Sequence, residues 1–478
     1  MRHIAELPTA RAASAPDAPC LADDTTALTN ARFLDRVLAA ASVLHAAGVR
    51  RGDVVAVVLP NRVELVVVLF AAWRLGAAVT PVNPGLTDDD IGFQIADARA
   101  MVVVGDPARA GTTLDVAALA RPAGPVAAAA QGDGVALIIY TSGTTGRPKG
   151  VVLDHDNLSA MCAMVIGALG LDHTDHSLLI LPLFHVNGIV VSVLSPLLAG
   201  GHTTVAGKFS ATGFFDLVER VRPTFFSGVP AVYAMLVAQP ADARPDTSSL
   251  RLAICGAAPM PAELIARFED RFGVPVVEGY GLSEGTCAST LNPVAGQRKP
   301  GTVGLPLPGQ RVTVVDPDGT ELPAGARGEV VVSGPTVMRG YLGRPEETAE
   351  TVRDGRLHTG DVGYFDPDGY LVLVDRIKDM IIRGGENLYP KEIENALHAH
   401  PAVHEAAVVG VPDPVLGEVP VAHVVAAAPV TAADLLEHCR ARLAAFKVPA
   451  AVVLTTALPR NPVGKVDKKR LRALAATV

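Results

Sequence analysis

The chain has 478 residues, of which 49% are hydrophobic and 19% are charged, and its formal net charge is -8 at pH 7. Its length exceeds what a single hydrophobic core usually holds and predicts two or more domains. The net negative charge, without any basic block, argues against nucleic acid as a partner. A local basic pocket is still compatible with this net charge.

The sequence shows no pattern of a zinc site, a disulfide framework or a membrane segment. Its five cysteines are scattered and include no CxxC pair, and the opening MRHIAELPTA lacks the apolar core of a signal peptide. Glu64 and Arg74 interrupt the most apolar run, VELVVVLFAAWRLGAAV, which favours a buried helix of a globular domain. We therefore expect a cytoplasmic protein with free thiols and no membrane insertion.

Strand-like and helix-like runs alternate from residue 30 to residue 290, as in DVVAVVLP, VELVVVLFAAWRLGA and AVTPVNP. Such alternation predicts α/β layers with mostly parallel sheets. Beyond residue 300, Asp-Pro-Asp-Gly turns separate strand-like runs and predict the hairpins of a β-rich subdomain. After Arg376, helix and strand patterns alternate over roughly 100 residues, which suffices for a separate domain.

The predicted fold class is therefore α/β. A large N-terminal domain of layered sheets and helices, with the β-rich subdomain, is expected over residues 1–377. A small α+β C-terminal domain is expected over residues 378–478.

The stretch YTSGTTGRPKG, Tyr140 to Gly150, combines glycines and hydroxyls with a lysine near its end. GVALII before it and VVL after it have the composition of strands, so the loop is expected to join two strands. A Walker A loop instead leads directly into a helix, and Pro148 disfavours helical geometry at Arg147. The glycines and hydroxyls still suit a phosphate group, although a flexible surface turn has the same composition.

Two further strings combine glycine or turn residues with polar side chains. GYGLSEG offers Tyr280, which suits stacking on a base, and Glu284, which suits a hard cation, although a tight turn with a surface glutamate is the alternative. HTGDVGYFDPDGYLVLVDRIKD offers Asp361 as an acceptor for ribose hydroxyls, or as a turn cap, and Arg376 for phosphate or ribose.

Two strings in the last hundred residues also combine glycine or proline with charged side chains. IIRGGENLYPKEIE contains Gly384 and Gly385, which permit the close approach of a ligand, and Pro390, which suits the first turn of a helix. LPRNPVGKVDKKRLR places Lys465 on a loop rich in proline and glycine, where a lysine is normally solvated.

Together these strings resemble the adenylate-forming superfamily of acyl-CoA synthetases, peptide-synthetase adenylation domains and luciferases. The motifs follow the order of that family across nearly the whole chain, from Tyr140 to Lys469. The resemblance implies ATP, Mg²⁺ and coenzyme A as cofactors and a mobile C-terminal domain that acts as a lid. It also implies that the loop binds phosphate, since proline before the lysine fits a strand-to-strand connection.

The resemblance assigns roles residue by residue. The triphosphate would be held by Thr141, Ser142, Gly143, Thr144, Thr145, Gly146 and Lys149. The adenosine side would be formed by Gly256, Ala257, Ala258, Pro259, Glu278, Gly279, Tyr280, Gly281, Leu282, Ser283, Asp361 and Arg376. The pantetheine channel would be bordered by Gly384 and Gly385.

The same resemblance implies catalytic residues, a hinge and an acyl pocket. The catalytic set would be Lys465, Lys149, Glu284 as the magnesium ligand, and His185 near the substrate carboxylate. The hinge would be Lys378. The acyl pocket would be lined by His185, Val186, Gly188, Ser227, Gly228, Val229, Gly279, Leu282 and Cys287, and the glycine at 279 is expected to leave room for the acyl group.

The implied reaction is attack of a carboxylate on the α-phosphate of ATP, which releases pyrophosphate, followed by attack of a thiol on the acyl carbon of the acyl-adenylate. One small domain cannot present both Lys465 and the Gly384 loop to the same centre at once, so rotation at Lys378 would exchange them. The expected acceptor is CoA, with the phosphopantetheine of an acyl or peptidyl carrier protein as an alternative. A luciferase-like oxygenase or an acyl-nucleotide sensor are other uses of this fold.

The expected substrate is a monocarboxylic acid, either aryl or medium-chain alkyl. The residues assigned to the pocket are mostly small or apolar, and VVEGYG contains no arginine that would hold a second carboxylate. A dicarboxylate is therefore disfavoured.

Overall fold

A computed structural model of the chain describes residues 3–108, 111–121, 124, 134–141, 147–240, 243–384, 386–460 and 466–475. The helices in chain order are α1 (Leu7–Ser14), α2 (Asn30–Ala46), α3 (Val63–Arg74), α4 (Asp88–Asp97), α5 (His155–Leu169), α6 (Val186–Ile189), α7 (Ser195–Leu198), α8 (Phe214–Val221), α9 (Pro230–Val237), α10 (Ala262–Phe272), α11 (Pro345–Thr351), α12 (Pro390–His398), α13 (Ala432–Arg440) and α14 (Lys468–Ala475).

The strands in chain order are β1 (Pro19–Ala22), β2 (Ala27–Thr29), β3 (Val54–Val58), β4 (Ala78–Pro81), β5 (Val102–Gly105), β6 (Leu114–Asp115), β7 (Val135–Thr141), β8 (Lys149–Asp154), β9 (His176–Leu179), β10 (His202–Val205), β11 (Phe225–Gly228), β12 (Leu252–Cys255), β13 (Val276–Tyr280), β14 (Thr290–Leu291), β15 (Leu305–Pro306), β16 (Arg311–Val315), β17 (Gly328–Ser333), β18 (Gly340–Tyr341), β19 (Val352–Arg353), β20 (Arg356–Phe365), β21 (Leu371–Arg376), β22 (Ile381–Arg383), β23 (Glu386–Leu388), β24 (Val403–Asp413), β25 (Gly417–Ala426) and β26 (Ala451–Leu454).

The first sheet has the strand order β15-β14-β13-β12-β11-β9-β10-β1-β2. Its central neighbours β9, β11, β12 and β13 are parallel to one another. Helices α9 and α10 follow β11 and β12 in the chain, as expected for crossovers between parallel strands. The predicted α/β fold class is therefore confirmed.

The second sheet has the order β18-β8-β7-β4-β3-β5-β6, in which β7 and β8 are antiparallel neighbours and Thr141 faces Lys149. The loop between these two residues thus joins two strands, as predicted. Helix α5 then begins at His155, where Asp154 and Asn157 form a reciprocal capping box. The local interpretation of this stretch is confirmed, because each of its signals acts within a few residues.

Helix α3 contains most of the run VELVVVLFAAWRLGAAV and is buried along almost its whole length. Its Trp73 ring nitrogen donates to the carbonyl of Ala136 at 2.9 Å, which ties the helix to β7. Val55, Phe70 and Leu179 belong to one apolar core, so helices and strands of both sheets pack around it. Within the described residues, each helix is too short or too polar to cross a bilayer.

A third sheet has the order β16-β17-β20-β19, with β21 next to β20. A fourth sheet, formed after residue 380, has the order β23-β22-β25-β24, with β26 next to β25. Helices α12 and α13 cover it with buried apolar side chains such as Ile393 and Leu435. This is the predicted C-terminal α+β arrangement, and Pro390 occupies the first turn of α12.

The chain divides into two compact units. The first comprises Met1–Thr313, Val331–His358 and Asp368–Leu371, and the second comprises Val314–Val330, Thr359–Pro367 and Val372–Val478. The chain passes between them within β16, β17, β20 and β21 and in the turn between β20 and β21, so this division differs from a single cut after residue 377. A domain boundary at residue 377 remains a prediction.

The neutral side chain of His155 contributes a pH-dependent part of the stability. His155 is buried, with its ring centroid 5.3 Å from that of Trp73 and 4.3 Å from that of His3. Burial and the neighbouring His3 lower the pKa of His155 to about 3, and Asp154 opposes the shift. Below pH 6.5 the unfolded chain therefore binds a proton that the folded protein excludes, and stability falls as the pH drops toward 3.

We expect His155 alone to lower the free energy of unfolding by roughly 2 kcal/mol when the pH falls from 6.5 to 5. His155→Phe keeps an aromatic ring that does not titrate. Its free energy of unfolding should therefore fall by roughly 2 kcal/mol less than that of the parent over this pH interval. Urea titrations at both pH values, followed through the fluorescence of Trp73, the one tryptophan in the sequence, measure the difference. His173→Phe, at an exposed histidine, is the control. The same pH dependence in the parent and in His155→Phe would refute the assignment.

Candidate nucleotide and acyl site

The carboxyl ends of the parallel strands β9, β11, β12 and β13 meet at one edge of the first sheet. Their register places Gly228, Cys255 and Glu278 side by side. Open α/β sheets bind their ligands at such an edge, because every loop that leaves the strands starts there. The predicted segments at this edge are 185–188, 227–229, 256–259 and 278–283.

The predicted adenine strip, residues 256–259, follows β12. Ala257 has a φ of 68°, a left-handed conformation that costs a non-glycine residue roughly 1 kcal/mol. The Oε1 atom of Glu278 accepts the backbone N–H of Met260 at 2.9 Å, directly after the strip. Burial raises the pKa of Glu278 to about 7, and this hydrogen bond opposes the shift. Glu278 thus supports the strip from within the protein.

The turn after β13 is built on close backbone approaches. A Cβ atom at Gly281 would collide with the carbonyl oxygen of Cys287, so only glycine fits there. A Cβ atom at Gly279 would lie 2.8 Å from Cδ1 of Leu291 and 3.0 Å from the carbonyl oxygen of Thr290. A side chain at residue 279 would therefore press first on Leu291 and on the backbone of Thr290 in β14, and the role of Gly279 in an acyl pocket remains a prediction.

Tyr341 connects the predicted triphosphate lysine with the predicted magnesium ligand. It lies on β18, which pairs with β8, the strand that begins at Lys149. The ring centroid of Tyr341 is 4.8 Å from Nζ of Lys149, and its hydroxyl donates to Oε1 of Glu284 at 2.8 Å. Burial and the Glu284 carboxylate raise the pKa of Tyr341, which keeps it a neutral donor. Lys149 and Glu284, distant in sequence, thus lie on either side of one side chain.

Lys149 also forms an ion pair with Glu347 on α11. The pair is partly buried, since the lysine side chain is 15% exposed and the glutamate side chain is 27% exposed. The hydrogen bond to Lys149 holds the pKa of Glu347 below its ordinary value, with a further contribution from Arg344. A polyanion bound by Lys149 would compete with Glu347 for the same ammonium group.

The carboxylate of Glu284 fits a hard cation. Its bond to Tyr341 uses Oε1 alone, and a carboxylate has a second oxygen with which to bind an ion. Mg²⁺ prefers oxygen ligands and is usually held by one or two carboxylates together with substrate phosphates. Among the residues that the structure describes, no group of three or more His, Cys, Asp or Glu side chains could hold a metal ion by itself.

The structure brings two of the predicted acyl-pocket segments into contact. Ser227, which is 1% exposed, hydrogen-bonds through Oγ to Oδ1 of Asn187 at 3.1 Å. Asn187 lies in α6, which begins directly after His185. A Cβ atom at Gly188 would lie 2.7 Å from the carbonyl oxygen of Pro182, so glycine allows this close packing. Their role in binding an acyl group remains a prediction.

In the second unit, the predicted ribose-binding pair is in contact. Nε of Arg376 donates to Oδ1 of Asp361 at 2.7 Å. Asp361 is 6% exposed, whereas Arg376 is exposed. This contact matches the expectation that Arg376 lies beside Asp361, and its role toward ribose remains a prediction.

The predicted hinge and the predicted pantetheine loop lie on either side of β22. Lys378 belongs to a 3-10 turn, Ile377–Asp379, between β21 and β22. Gly384 has a φ of 60°, which favours glycine, and its N–H donates to the carbonyl of Leu416 at 2.7 Å. The predicted site residues outside the described part of the chain are Ser142, Gly143, Thr144, Thr145, Gly146, Gly385 and Lys465.

Sequence reasoning missed Tyr341, Glu347 and Asn187. The string GYLGRPEETAE does contain a helix-start signal, because Pro345 occupies the first turn of α11 and acidic residues follow it. Such a signal occurs at many helices and does not indicate which side chain the helix contacts. The contacts depend on the pairing of β18 with β8, which no local pattern reports.

Residues 9–342 match the family model described as AMP-binding enzyme, and residues 392–465 match that of the AMP-binding enzyme C-terminal domain. The chain belongs to the AMP-binding enzyme family. Its similarity to the adenylate-forming superfamily, predicted from the motifs, is thereby confirmed. The two matched ranges follow the predicted order of the large and small domains.

Individual members of the family are similar over almost their full length. A feruloyl-CoA synthase from an Amycolatopsis species is 42% identical over 479 residues, which cover 97% of each chain. The structure of ATP-bound MatB from Rhodopseudomonas palustris superposes with a TM-score of 0.91, at 35% identity and 99% coverage of both chains.

A third member, the o-succinylbenzoate CoA synthetase MenE from Bacillus subtilis, is 31% identical and covers 98% of this AMP-binding enzyme. Its complex with the acyl-adenylate OSB-AMP has a TM-score of 0.91, with 98% of that chain covered. Its complex with ATP and magnesium has a TM-score of 0.90, with 99% covered. These similarities confirm the predicted class of enzyme, an AMP-forming acid–CoA ligase.

Proposed function

We propose that this enzyme joins a monocarboxylic acid to the thiol of coenzyme A in two steps, through an acyl-adenylate. The observation that carries the proposal is the convergence of Lys149 and Glu284 on Tyr341. Glu284 follows β13, so this convergence adjoins the edge where the parallel strands end. Transfer of an adenylyl group requires charge neutralisation at the phosphates more than covalent catalysis.

In the first step, a carboxylate oxygen of the acid forms a bond to the α-phosphorus of ATP, and the bond to the bridging oxygen breaks as pyrophosphate leaves. Lys149 would neutralise the β- and γ-phosphates, and Glu284 would hold Mg²⁺, which supplies further positive charge when bound. Lys465 would approach the carboxylate and the α-phosphate. Tyr341 would orient Glu284 through its neutral hydroxyl.

In the second step, the thiolate sulfur of CoA attacks the acyl carbon, and AMP leaves as a phosphate monoester anion. A thiol that is partly ionised near neutral pH needs no dedicated base for this step. The Gly384 loop would border the approach of the pantetheine arm. Its glycine backbone, at a φ of 60°, leaves space that a side chain would restrict.

Two observations support CoA as the acceptor and an aryl acid as the first substrate to test. Two of the relatives named above are described as a CoA synthase and a CoA synthetase, and the relative at 42% identity is named for a feruloyl group. The carboxyl-end loops also bring the apolar Val186 and Val229 to the same edge as the Asn187–Ser227 pair. An apolar pocket with one polar pair suits an aromatic acid with a polar substituent. A cytoplasmic location, where ATP and CoA occur together, is part of this proposal.

The test is pyrophosphate release from ATP and Mg²⁺ across ferulate, benzoate, octanoate and malonate, with CoA present and absent, together with mass analysis of the products. We expect release with the aryl acids or octanoate, and acyl-CoA when CoA is present. The best activity on malonate would overturn the monocarboxylate assignment. Transfer to a phosphopantetheinylated carrier protein but not to CoA would identify the other acceptor. Oxygen consumption would indicate an oxygenase, and nucleotide binding without pyrophosphate release would indicate a sensor.

A further inference from the structure

Lys468 is a partly buried cation directly after the loop that carries the predicted catalytic lysine. Its Nζ lies 2.9 Å from Oε1 of Glu394 on α12, and the two side chains are 20% and 9% exposed. Burial lowers the pKa of Lys468, but the carboxylates of Glu394 and Asp375 outweigh this effect and raise it above its ordinary value. Lys468 is therefore a charged group held between carboxylates, whereas its neighbour Lys469 is exposed.

The backbone between Lys465 and Lys468 is anchored at each described residue. Val466 forms an antiparallel bridge with Arg460 across the loop. Asp467 donates its N–H to the carbonyl of Pro459 at 2.8 Å, and its side chain accepts the N–H of Arg470 at 3.0 Å. This last bond is the usual cap at the start of a helix. The position of α14 therefore determines the positions of Asp467 and Val466, the two residues that separate it from Lys465 in the chain.

A second set of contacts connects α14 and α12 with the region of the predicted hinge, Lys378. Arg472 on α14 donates to Oδ1 of Asp379 at 2.8 Å and to the carbonyl of Lys378 at 3.4 Å. Asp375, at the end of β21, accepts the N–H of Lys391 in the first turn of α12 at 2.7 Å. Both contacts lie within the second unit.

We propose that Lys468 is a positioning residue for adenylation, because its ion pair with Glu394, together with the contact of Arg472 with Asp379, fixes residues 466–472, which follow Lys465 directly in the chain, relative to the hinge turn. The inference rests on the proposed role of Lys465. The carboxylate of Glu394 also accepts the N–H of Val408 at 3.0 Å, so the anchor extends to β24 at one end of the fourth sheet. A buried pair that loses one partner leaves an uncompensated charge, and the geometry around it relaxes.

The test separates the two half-reactions in Lys468→Met, which keeps the length of the side chain and removes its charge. Acyl-adenylate formation should fall roughly 10- to 100-fold in kcat, since a displacement of about 1 Å at a reacting group has effects of this size. The KM values for ATP and the acid should change by less than about twofold, because Lys468 contacts neither ligand. Thioester formation from supplied acyl-adenylate should stay near the parent rate.

Three variants complete the design. Lys469→Met, at the adjacent exposed lysine, should behave as the parent in both half-reactions. Lys468→Arg keeps the charge and should recover most of the adenylation rate. Arg472→Gln weakens the second anchor at a side chain that is 36% exposed, which spares the folded core, and should give the same selective loss to a smaller degree.

An equal loss of both half-reactions, or a parental adenylation rate in Lys468→Met, would overturn the proposal. Hydrogen exchange provides a readout that does not depend on activity. Amides of residues 466–474 should exchange faster in Lys468→Met than in Lys469→Met, and unchanged protection would show that the ion pair does not hold the segment. If the parent enzyme itself releases no pyrophosphate with any acid, the proposed function fails, and the exchange comparison still decides whether Lys468 fixes α14.

Discussion

Replacing Lys465 by alanine is expected to slow acyl-adenylate formation by roughly 10²-fold or more, because its positive charge would stabilise the charge that develops on the carboxylate and the α-phosphate. Thioester formation from supplied acyl-adenylate should persist, since that step breaks the bond to AMP without a triphosphate. The measurement is single-turnover formation of the acyl-adenylate, followed by a separate assay of transfer to CoA.

The exposed Lys469 provides the matched control for this experiment. Lys469→Ala removes the same charge from the same region of the chain and should leave both half-reactions at the parental rate. If Lys465→Ala slows transfer to CoA as much as adenylation, Lys465 does not act in the first step alone. The assignment would then have to be abandoned.

Replacing Lys149 by methionine is expected to lower kcat/KM for ATP by roughly 10²-fold in the adenylation step, because a cation beside the triphosphate would be lost. The substitution also leaves the Glu347 carboxylate without its lysine partner, so the negative charge of Glu347 is no longer offset by that lysine. Transfer from supplied acyl-adenylate should change little, since that ligand lacks the β- and γ-phosphates. Lys208→Met, at an exposed lysine of the same unit, is the control.

Glu347→Gln tests whether the ion pair and the nucleotide compete for Lys149. Alone, it should change kcat/KM for ATP by less than about threefold, since a partly exposed pair contributes little net free energy. In the Lys149→Met background it should recover several-fold of the lost activity, because it removes a carboxylate that has lost its lysine partner, keeps only Arg344 and repels the triphosphate. Strict additivity of the two substitutions would show that Glu347 and the triphosphate do not share Lys149.

Several parts of the fold were predictable because their signals act over a few residues. The capping box at Asp154, the burial of α3 and the strand–loop–strand arrangement around Tyr140 all follow from the local order of polar, apolar and ring-constrained residues. The proline at the start of α12 acts in the same way. The boundary at residue 377 remains a prediction, and the passage of the chain between the two compact units within β16, β17, β20 and β21 has no such local signal.

The residues of the candidate site fall into the same two groups, those with a local sequence signal and those without one. Lys149, Glu284, Asp361 and Arg376 were named from the sequence because each lies in a string whose composition suits phosphate, a cation or ribose, and these roles remain predictions. The partner of Glu284 was not predictable from such strings. Tyr341 gains its significance from a hydrogen bond to Glu284, and the atoms beside Gly279 belong to a strand that only the fold places there.

The sequence by itself determined the class of enzyme, the order of its motifs and the elements on which they lie, because backbone preferences, capping and apolar periodicity are properties of neighbouring residues. Only the tertiary structure decided which charged and polar side chains, distant in sequence, contact one another. Strand pairing brings Tyr341 between Lys149 and Glu284, and the packing of both α12 and α14 against β24 brings Lys468 to Glu394. These contacts depend on the register of whole sheets and on how helices pack over them, and local sequence patterns contain no record of either.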